Sequence, residues 1–434
     1  MSQSQLPVSL SATVTGLQSG SLPLLSYLDQ LEARFAHDES EVLAFVPEEG
    51  RFERLRRQAQ ALLVRYPEPA ERPALFGLPI GVKDIFHVDG LTTYAGSKLP
   101  PNELQGAESE SVTRLRQAGA LILGKTVTTE FAYFGPGPTR NPYNPAHTPG
   151  GSSSGSAAAV AKNLCLMAFG TQTIGSINRP AAFCGVVGFK PSYDRSSKAG
   201  VIPLSESLDH VGFFVQSVLD AELVAELLCY QWQVVVSSRN PVLGIPEGPY
   251  MARASAEGLA HFRDTCDQLV EAGYEIKSVP AMADFDEIYA RHNLIVAAEA
   301  AQVHRQWFAK YGELYHPKTA ELINRGNLVD AAELRDALTG RTKLRQELSQ
   351  LMDRHGIDVW ISPAAPGPAP KGLDSTGDPV MNLPWTHSGL PSVTVPSGIS
   401  AAGLPLGLQL VGRWYGDEVL LYWAADIEPL IRPQ

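Results

Sequence analysis

Cysteine is scarce in this chain: its 434 residues include four, Cys165, Cys184, Cys229 and Cys266. No two stand at C-x-x-C spacing, which excludes a zinc ribbon and a thioredoxin-like redox pair. Three of the four lie among apolar neighbours and read as reduced core thiols. No run of about 18 apolar residues occurs, so no segment reads as a membrane span. Met1 to Pro23 lacks a charged start followed by an apolar run, so no secretory signal is expected and the expected compartment is the cytoplasm. Basic charge is also short. Lys and Arg number 35 against 46 Asp and Glu, a net charge of −11. A broad basic face for nucleic acid is thereby excluded, although a local basic pocket for a small anion is not.

Apolar residues are plentiful at 44%, and charged residues make up only 19%. That balance excludes a mainly disordered chain. Glycine (38) and proline (33) together exceed the roughly 12% share usual for the pair. Short apolar runs alternate with amphipathic stretches from Phe76 onward, the pattern of an α/β protein. Strands are expected at Leu78–Lys83, Ala120–Leu123, Leu166–Gly170 and Gly188–Lys190, then at Val242–Ile245, Tyr274–Val279, Asp358–Ile361, Ser392–Val395 and Leu406–Val411. Helices are expected at Ser21–Ala36, Arg51–Tyr66, Glu108–Ala118, Ser154–Ala161, Ala221–Leu228, Ala254–Ala272 and Asp417–Ile427. Residues 283–355 read as mostly helical. No linker or repeat divides the chain, so one large domain is expected over 1–434. Within it, residues 1–70 would pack as helices on the body, 75–215 would form a core, and 230–355 would form a mainly helical variable region.

One motif is a decoy. Gly119 to Thr126 matches the phosphate-loop pattern G-x-x-x-x-G-K-T letter for letter. A phosphate loop needs exposed, pliable backbone between its glycines and a helix after its lysine. Here Ala-Leu-Ile-Leu lies between the glycines and β-branched Val127-Thr-Thr129 follows. A buried strand is the expected structure.

The chemistry concentrates in three segments. Thr148-Pro-Gly-Gly-Ser152-Ser-Ser-Gly-Ser-Ala157 is a glycine-serine loop leading into a small-residue helix. Alone it would also read as a nest for phosphate or carboxylate. Gly170-Thr-Gln-Thr-Ile-Gly-Ser176-Ile-Asn-Arg179 is a strand running into a tight turn that exposes a serine beside backbone N–H groups. Acyl transfer needs that pairing of a nucleophile with donors where an oxyanion forms. Lys83 ends the strand Leu78–Lys83. Lys83 precedes Ser152 by 69 residues, and Ser152 precedes Ser176 by 24.

Together these segments resemble the amidase signature family, closely over about residues 75–215 and again over Ser362–Glu428. The resemblance implies a central twisted mixed β-sheet surrounded by α-helices, and a Ser–cis-Ser–Lys catalytic set in which no histidine takes part. Ser176 would be the nucleophile, Ser152 the relay in a cis peptide, and Lys83 the base, made neutral by burial. The N–H groups of Thr173, Ile174 and Gly175, with that of Ser176, would form the oxyanion hole. Asp84 is expected to be a structural hydrogen-bond acceptor. No metal or cofactor is implied.

Two residues depart from the common family pattern. Ile174 stands where a glycine is usual, so it must sit in an ordinary conformation or accept strain. It is expected to narrow the acyl pocket or shield the oxyanion hole. Gln172 stands where an Asp is commoner, which resembles the malonamidase branch; carboxybiuret hydrolases also lie near it. Arg179 reads either as structural or as a fork for a substrate carboxylate. The implied substrate is a small amide carrying a carboxylate. Trp385, Thr386 and His387 are candidates for the pocket wall, with core packing as the other reading. A stand-alone amidohydrolase is the leading expectation. The others are the A-type subunit of a tRNA-dependent amidotransferase and a non-catalytic scaffold of the same fold. The family-level partners are a second copy, as a homodimer, and a small partner subunit.

Overall fold

Ten short segments pair into one sheet. They are β1 (Pro79–Lys83), β2 (Leu121–Thr126), β3 (Met167–Gln172), β4 (Val187–Lys190), β5 (His210–Val215), β6 (Leu243–Glu247), β7 (Ile276–Pro280), β8 (Val359–Pro363), β9 (Ser392–Ile399) and β10 (Pro405–Val411). The structure is a computed structural model and describes residues 9–433. The strand order is β2-β1-β3-β5-β4-β9-β10-β8-β6-β7. Parallel pairs at both ends flank an antiparallel centre, so the sheet is mixed. Strands β1 to β5 and β8 are buried along their whole length. Helices covering both faces cause this, and it is why these strands read as unbroken apolar runs rather than alternating ones. The chain forms a single α/β domain.

Four additions and one confirmation stand out against the expected elements. Helices Leu10–Ser19, Asn178–Cys184 and Leu383–His387 and strand β5 were not expected. The decoy segment is strand β2, with no helix after it. Its Lys125 is buried and ion-paired to Asp84 at 2.8 Å, so it faces no phosphate. Asp84 also accepts from the Tyr94 N–H, the structural role expected of it. All four cysteines are buried and unpaired.

The helices position the site from two sides. Helices Leu10–Ser19, Leu24–Val42 and Arg51–Arg65 set Leu17, Leu28, Leu31 and Leu55 against Ala157 to Val160 on helix Ser154–Ala161. That helix follows directly on the glycine-serine loop. On the other side lie helices Phe285–Tyr311, Pro317–Gly326 and Ala331–His355. Their apolar faces share a cluster with Ile174, Leu383 and Trp385. No helix among the described residues is long and apolar enough to cross a membrane.

Candidate active site

Strand pairing brings the three segments together. β1 and β3 run parallel with Val82 opposite Phe169, so their carboxyl ends open on one edge of the sheet. Lys83 is the last residue of β1, and the turn bearing Ser176 leaves the end of β3. Crevices beyond strand carboxyl ends are the usual ligand sites of α/β sheets. The serine loop is drawn to the same edge by Ser156, whose hydroxyl lies 2.7 Å from Phe169 O and from Thr126 Oγ1.

Lys83 is completely buried. Its Nζ lies 2.7 Å from Ser152 Oγ and 2.8 Å from Thr171 Oγ1. Burial pushes its pKa well below the ordinary lysine value, and the charge of Asp209 offsets part of that shift. A neutral amine can accept a proton, which an ammonium cannot. The Gly151–Ser152 peptide is cis, and Ser152 is 2% exposed. Gly150 before it has φ +83°, and a Cβ there would come 2.8 Å from Pro180 Cα. The glycine pair thus serves both a left-handed turn and a close approach to the nucleophile segment.

The Ser176 turn is held from beneath by one side chain. Gln172 is buried, and its Oε1 accepts from the Ile177 and Asn178 N–H groups at 2.8 and 2.9 Å. Its Nε2 donates to Thr386 Oγ1 at 2.9 Å, and the Thr386 hydroxyl donates to Ile174 O at 2.7 Å. Both flanks of Ser176 are therefore fixed by the Gln172–Thr386 relay. An amide suits this duty because it accepts and donates at once, whereas a carboxylate only accepts. Gly175 is required by contact, since a Cβ would collide with Asn382 Oδ1. Ile174 takes no positive φ, so the usual glycine is replaced without backbone strain. Among the described residues, the N–H groups of Ile174, Gly175 and Ser176 donate to no protein acceptor. The Thr173 hydroxyl donates to Asp209 at 2.5 Å.

Similarity to known proteins points the same way. A family model described as Amidase matches residues 48–421. The chain belongs to the amidase signature family. Within that family, it is 33% identical over 478 aligned positions to the A-type subunit of glutamyl-tRNA(Gln) amidotransferase from Synechococcus sp. (strain CC9605), covering 97% of this chain and 96% of that one. A solved amidase superposes with TM-score 0.89 at 32% identity, covering 98% of this chain and all of that one. A protein from a vestigial complex tied to the origins of an s-triazine catabolic enzyme gives 0.85 at 27% identity, covering 96% and 97% of the two chains.

Other expected site residues of this amidase take different duties. Arg179 is 1% exposed. Its Nη2 donates to Gly151 O at 2.6 Å and Thr376 Oγ1 at 3.1 Å, and its Nη1 donates to Gly377 O at 2.5 Å. Its terminal nitrogens thus clamp the carbonyl of the cis peptide to the 376–377 segment, and it lines neither chamber described below. Of the two readings open from sequence, this geometry matches the structural one. Arg179→Ala is expected to lower the melting temperature by several degrees, because buried partners lose their donors. Its kcat loss should be the same for neutral and carboxylated amides. A KM rise confined to carboxylated amides would return Arg179 to substrate binding.

Trp385 is core: it is fully buried and donates from Nε1 to Tyr250 OH at 2.9 Å. His387 is also fully buried, and burial pushes its pKa down to about 3. Thr386 belongs to the relay beneath the turn. None of the three lines a chamber. Sequence reading missed Thr171 and Asp209 altogether. Thr171 had a usable signal, as the last polar residue but one of a buried strand that ends at the site.

A chamber of about 330 Å³ opens above the turn, lined by Ile174 together with Tyr133, Phe134, Tyr289, Leu383 and Pro379. Its rim carries charges of both signs, Lys318 and Arg325 against Glu321 and Asp378.

Proposed function

We propose that this chain cleaves the C–N bond of a small amide through an acyl-enzyme on Ser176. The observation that carries this reading is a fully buried Lys83 within hydrogen-bond reach of Ser152, beside a serine turn in which the N–H groups of Ile174, Gly175 and Ser176 have no acceptor among the described residues. Ser176 Oγ attacks the carbonyl carbon. Its proton passes to Ser152 Oγ while the Ser152 proton passes to Lys83 Nζ. Thr171 Oγ1 accepts a hydrogen bond from Lys83 and keeps the amine lone pair turned to Ser152. The turn N–H groups stabilise the oxyanion. The proton then returns through Ser152 to the leaving nitrogen, the C–N bond breaks, and water hydrolyses the ester. The site of action under this reading is the cytoplasm.

A fluorophosphonate probe tests the nucleophile directly. Labelling of the wild type that disappears in Ser176→Ala supports it, and an unlabelled wild type favours a scaffold. Release of ammonia or amine across neutral and carboxylated amides, ureas and biurets tests the substrate class.

The chamber above the turn supports an acyl group bearing a carboxylate. Arg325 lines it, is exposed, and has no ion-pair partner among the described residues. Lys318 is engaged by Asp374 O at 2.9 Å. Arg325→Ala should raise KM for carboxylated amides about tenfold with kcat little changed, and leave neutral amides unaffected. An equal KM for both variants would place the carboxylate elsewhere.

A second reading is the A-type component of a glutamine-dependent amidotransferase. The curated relatives favour it, as does a chamber rim offering both a cation and a carboxylate to a zwitterion such as glutamine. It implies partner chains. Activity on glutamine only when those chains are added, with none on other amides, would establish it.

A further inference from the structure

Thr171, which holds Lys83, also lines a second chamber of about 390 Å³. The two chambers are parted by residues 130–134: Ala132 lines this one, and Tyr133 and Phe134 line the other. This partition is rigid. Phe131 and Ala132 both hold left-handed backbone, at φ +46° and +61°, which a non-glycine residue keeps only when its surroundings enforce it. The Phe131 ring stacks 5.4 Å from Tyr315 and 5.9 Å from Trp307. The Glu130 carboxylate accepts the His316 N–H at 2.9 Å.

Ser176 itself lines neither chamber; Ile174, two residues before it, lines the first chamber and Thr171, five before it, lines the second, so each chamber adjoins the segment that presents the nucleophile. The proton that returns to nitrogen comes by way of Ser152 and Lys83, so the nitrogen half of a bound amide belongs on the side of Thr171. The second chamber is far larger than ammonia needs, since a water-sized molecule occupies about 30 Å³, and it falls within the usual range for small-molecule sites.

The lining of the second chamber is rich in acceptors. Asp194, Glu206 and Asp209 face a single Lys198. That Lys198 is occupied by Tyr193 OH at 2.9 Å, Glu206 O at 2.8 Å and Asp194 at 3.3 Å. Arg341 stacks on the Tyr193 ring but does not line the chamber. His210 is 3% exposed, and its Nδ1 lies 2.6 Å from Leu208 O. That contact assigns the proton to Nδ1 and leaves Nε2 as a bare acceptor. His210 Nε2 has no hydrogen-bond partner among the described residues.

We infer that this chamber receives the amine half of a secondary amide, and that the preferred leaving amine bears a further ammonium group, met by Glu206 and His210 Nε2. The inference rests on the amidase reading of Ser176. The bond broken is the same C–N bond. The nitrogen regains the proton first taken from Ser176, and the free products are a carboxylic acid and an amine.

The test compares the full chain on amides of one acyl group, as the primary, N-alkyl, N-aminoalkyl and N-carboxyalkyl forms. The N-aminoalkyl amide is expected to exceed the N-carboxyalkyl amide in kcat/KM by about tenfold or more, the effect of one favourable charge contact. Glu206 is exposed, so Glu206→Gln keeps the fold, and it should cut that ratio about threefold or more. Val201→Trp, which fills the chamber, should depress every N-substituted amide relative to the primary one. Turnover of the primary amide alone would overturn the inference and leave the amidase reading standing. Equal turnover of ammonium-bearing and carboxylate-bearing amines would overturn it too. No turnover of any amide, together with no probe labelling of Ser176, would remove both.

Discussion

Ser176→Ala is expected to lower kcat/KM by on the order of 10⁴- to 10⁶-fold, the range seen when a catalytic serine is removed, while shifting the melting temperature by no more than about 2 °C. The two halves of this expectation have separate causes. The hydroxyl is the only group lost, and among the described residues it has no hydrogen-bond partner. Removing it therefore orphans nothing in the fold. The turn itself stays in place, because Gln172 holds the Ile177 and Asn178 N–H groups and Thr386 holds Ile174 O. Any residual rate would come from binding and from the intact N–H groups. Turnover with a thermal melt on the same sample checks both halves. Undiminished hydrolysis in this variant would exclude Ser176 as nucleophile.

Lys83→Met should also abolish turnover, and it should change how stability depends on pH. In the fold, burial lowers the Lys83 pKa well below 10.5. The unfolded chain keeps the ordinary value. Between the two values the unfolded state binds more protons, so the wild type gains stability as pH rises, by up to about 1.4 kcal/mol per pH unit from this group. Methionine has no such slope. The stability of Lys83→Met relative to wild type should thus be most favourable at the acidic end of the window and fall as pH approaches 10.5. Loss of the amine also leaves Ser152 and Thr171 short of a partner, at about 1–3 kcal/mol each, but that cost shifts the level and not the slope. Urea denaturation of both proteins at pH 7 and pH 9 measures it. A pH-independent difference would show that Lys83 is charged in the fold. The wild-type kcat/KM should fall as pH drops through the depressed Lys83 pKa, since only the neutral amine serves as base.

The residues proposed for catalysis were legible because their chemistry is local. Lys83, Ser152 and Ser176 each sit in a short segment whose glycines, strand ends and spacing mark it. The helix Ser154–Ala161 was read to the residue, since its Ala-rich run has one interpretation. Strand β5 was not, because His210 to Val215 follows a loop whose anchor, Asp209, is tied to Leu204, Ser205 and Thr173 rather than to its neighbours. Arg179 was open to two readings because its partners Thr376 and Gly377 lie almost 200 residues away. Gln172 showed only as a missing charge; its task as a two-sided brace depends on Thr386, 214 residues on. Side chains that act across the sheet leave no mark in the segment that carries them.

The Arg179 clamp and the Gln172–Thr386 relay bear on when the chain can first act during its synthesis. All three residues proposed for catalysis have been translated by position 176, with more than half of the chain still to come. Yet the turn that presents Ser176 leans on Asn382 and Thr386, and the cis-peptide carbonyl is tied through Arg179 to Gly377. A ribosome-bound fragment would hold the full proposed catalytic set without the braces that aim it. Hydrolytic competence should appear only after about residue 390 has left the exit tunnel, so an interrupted translation product would be inert toward cellular amides.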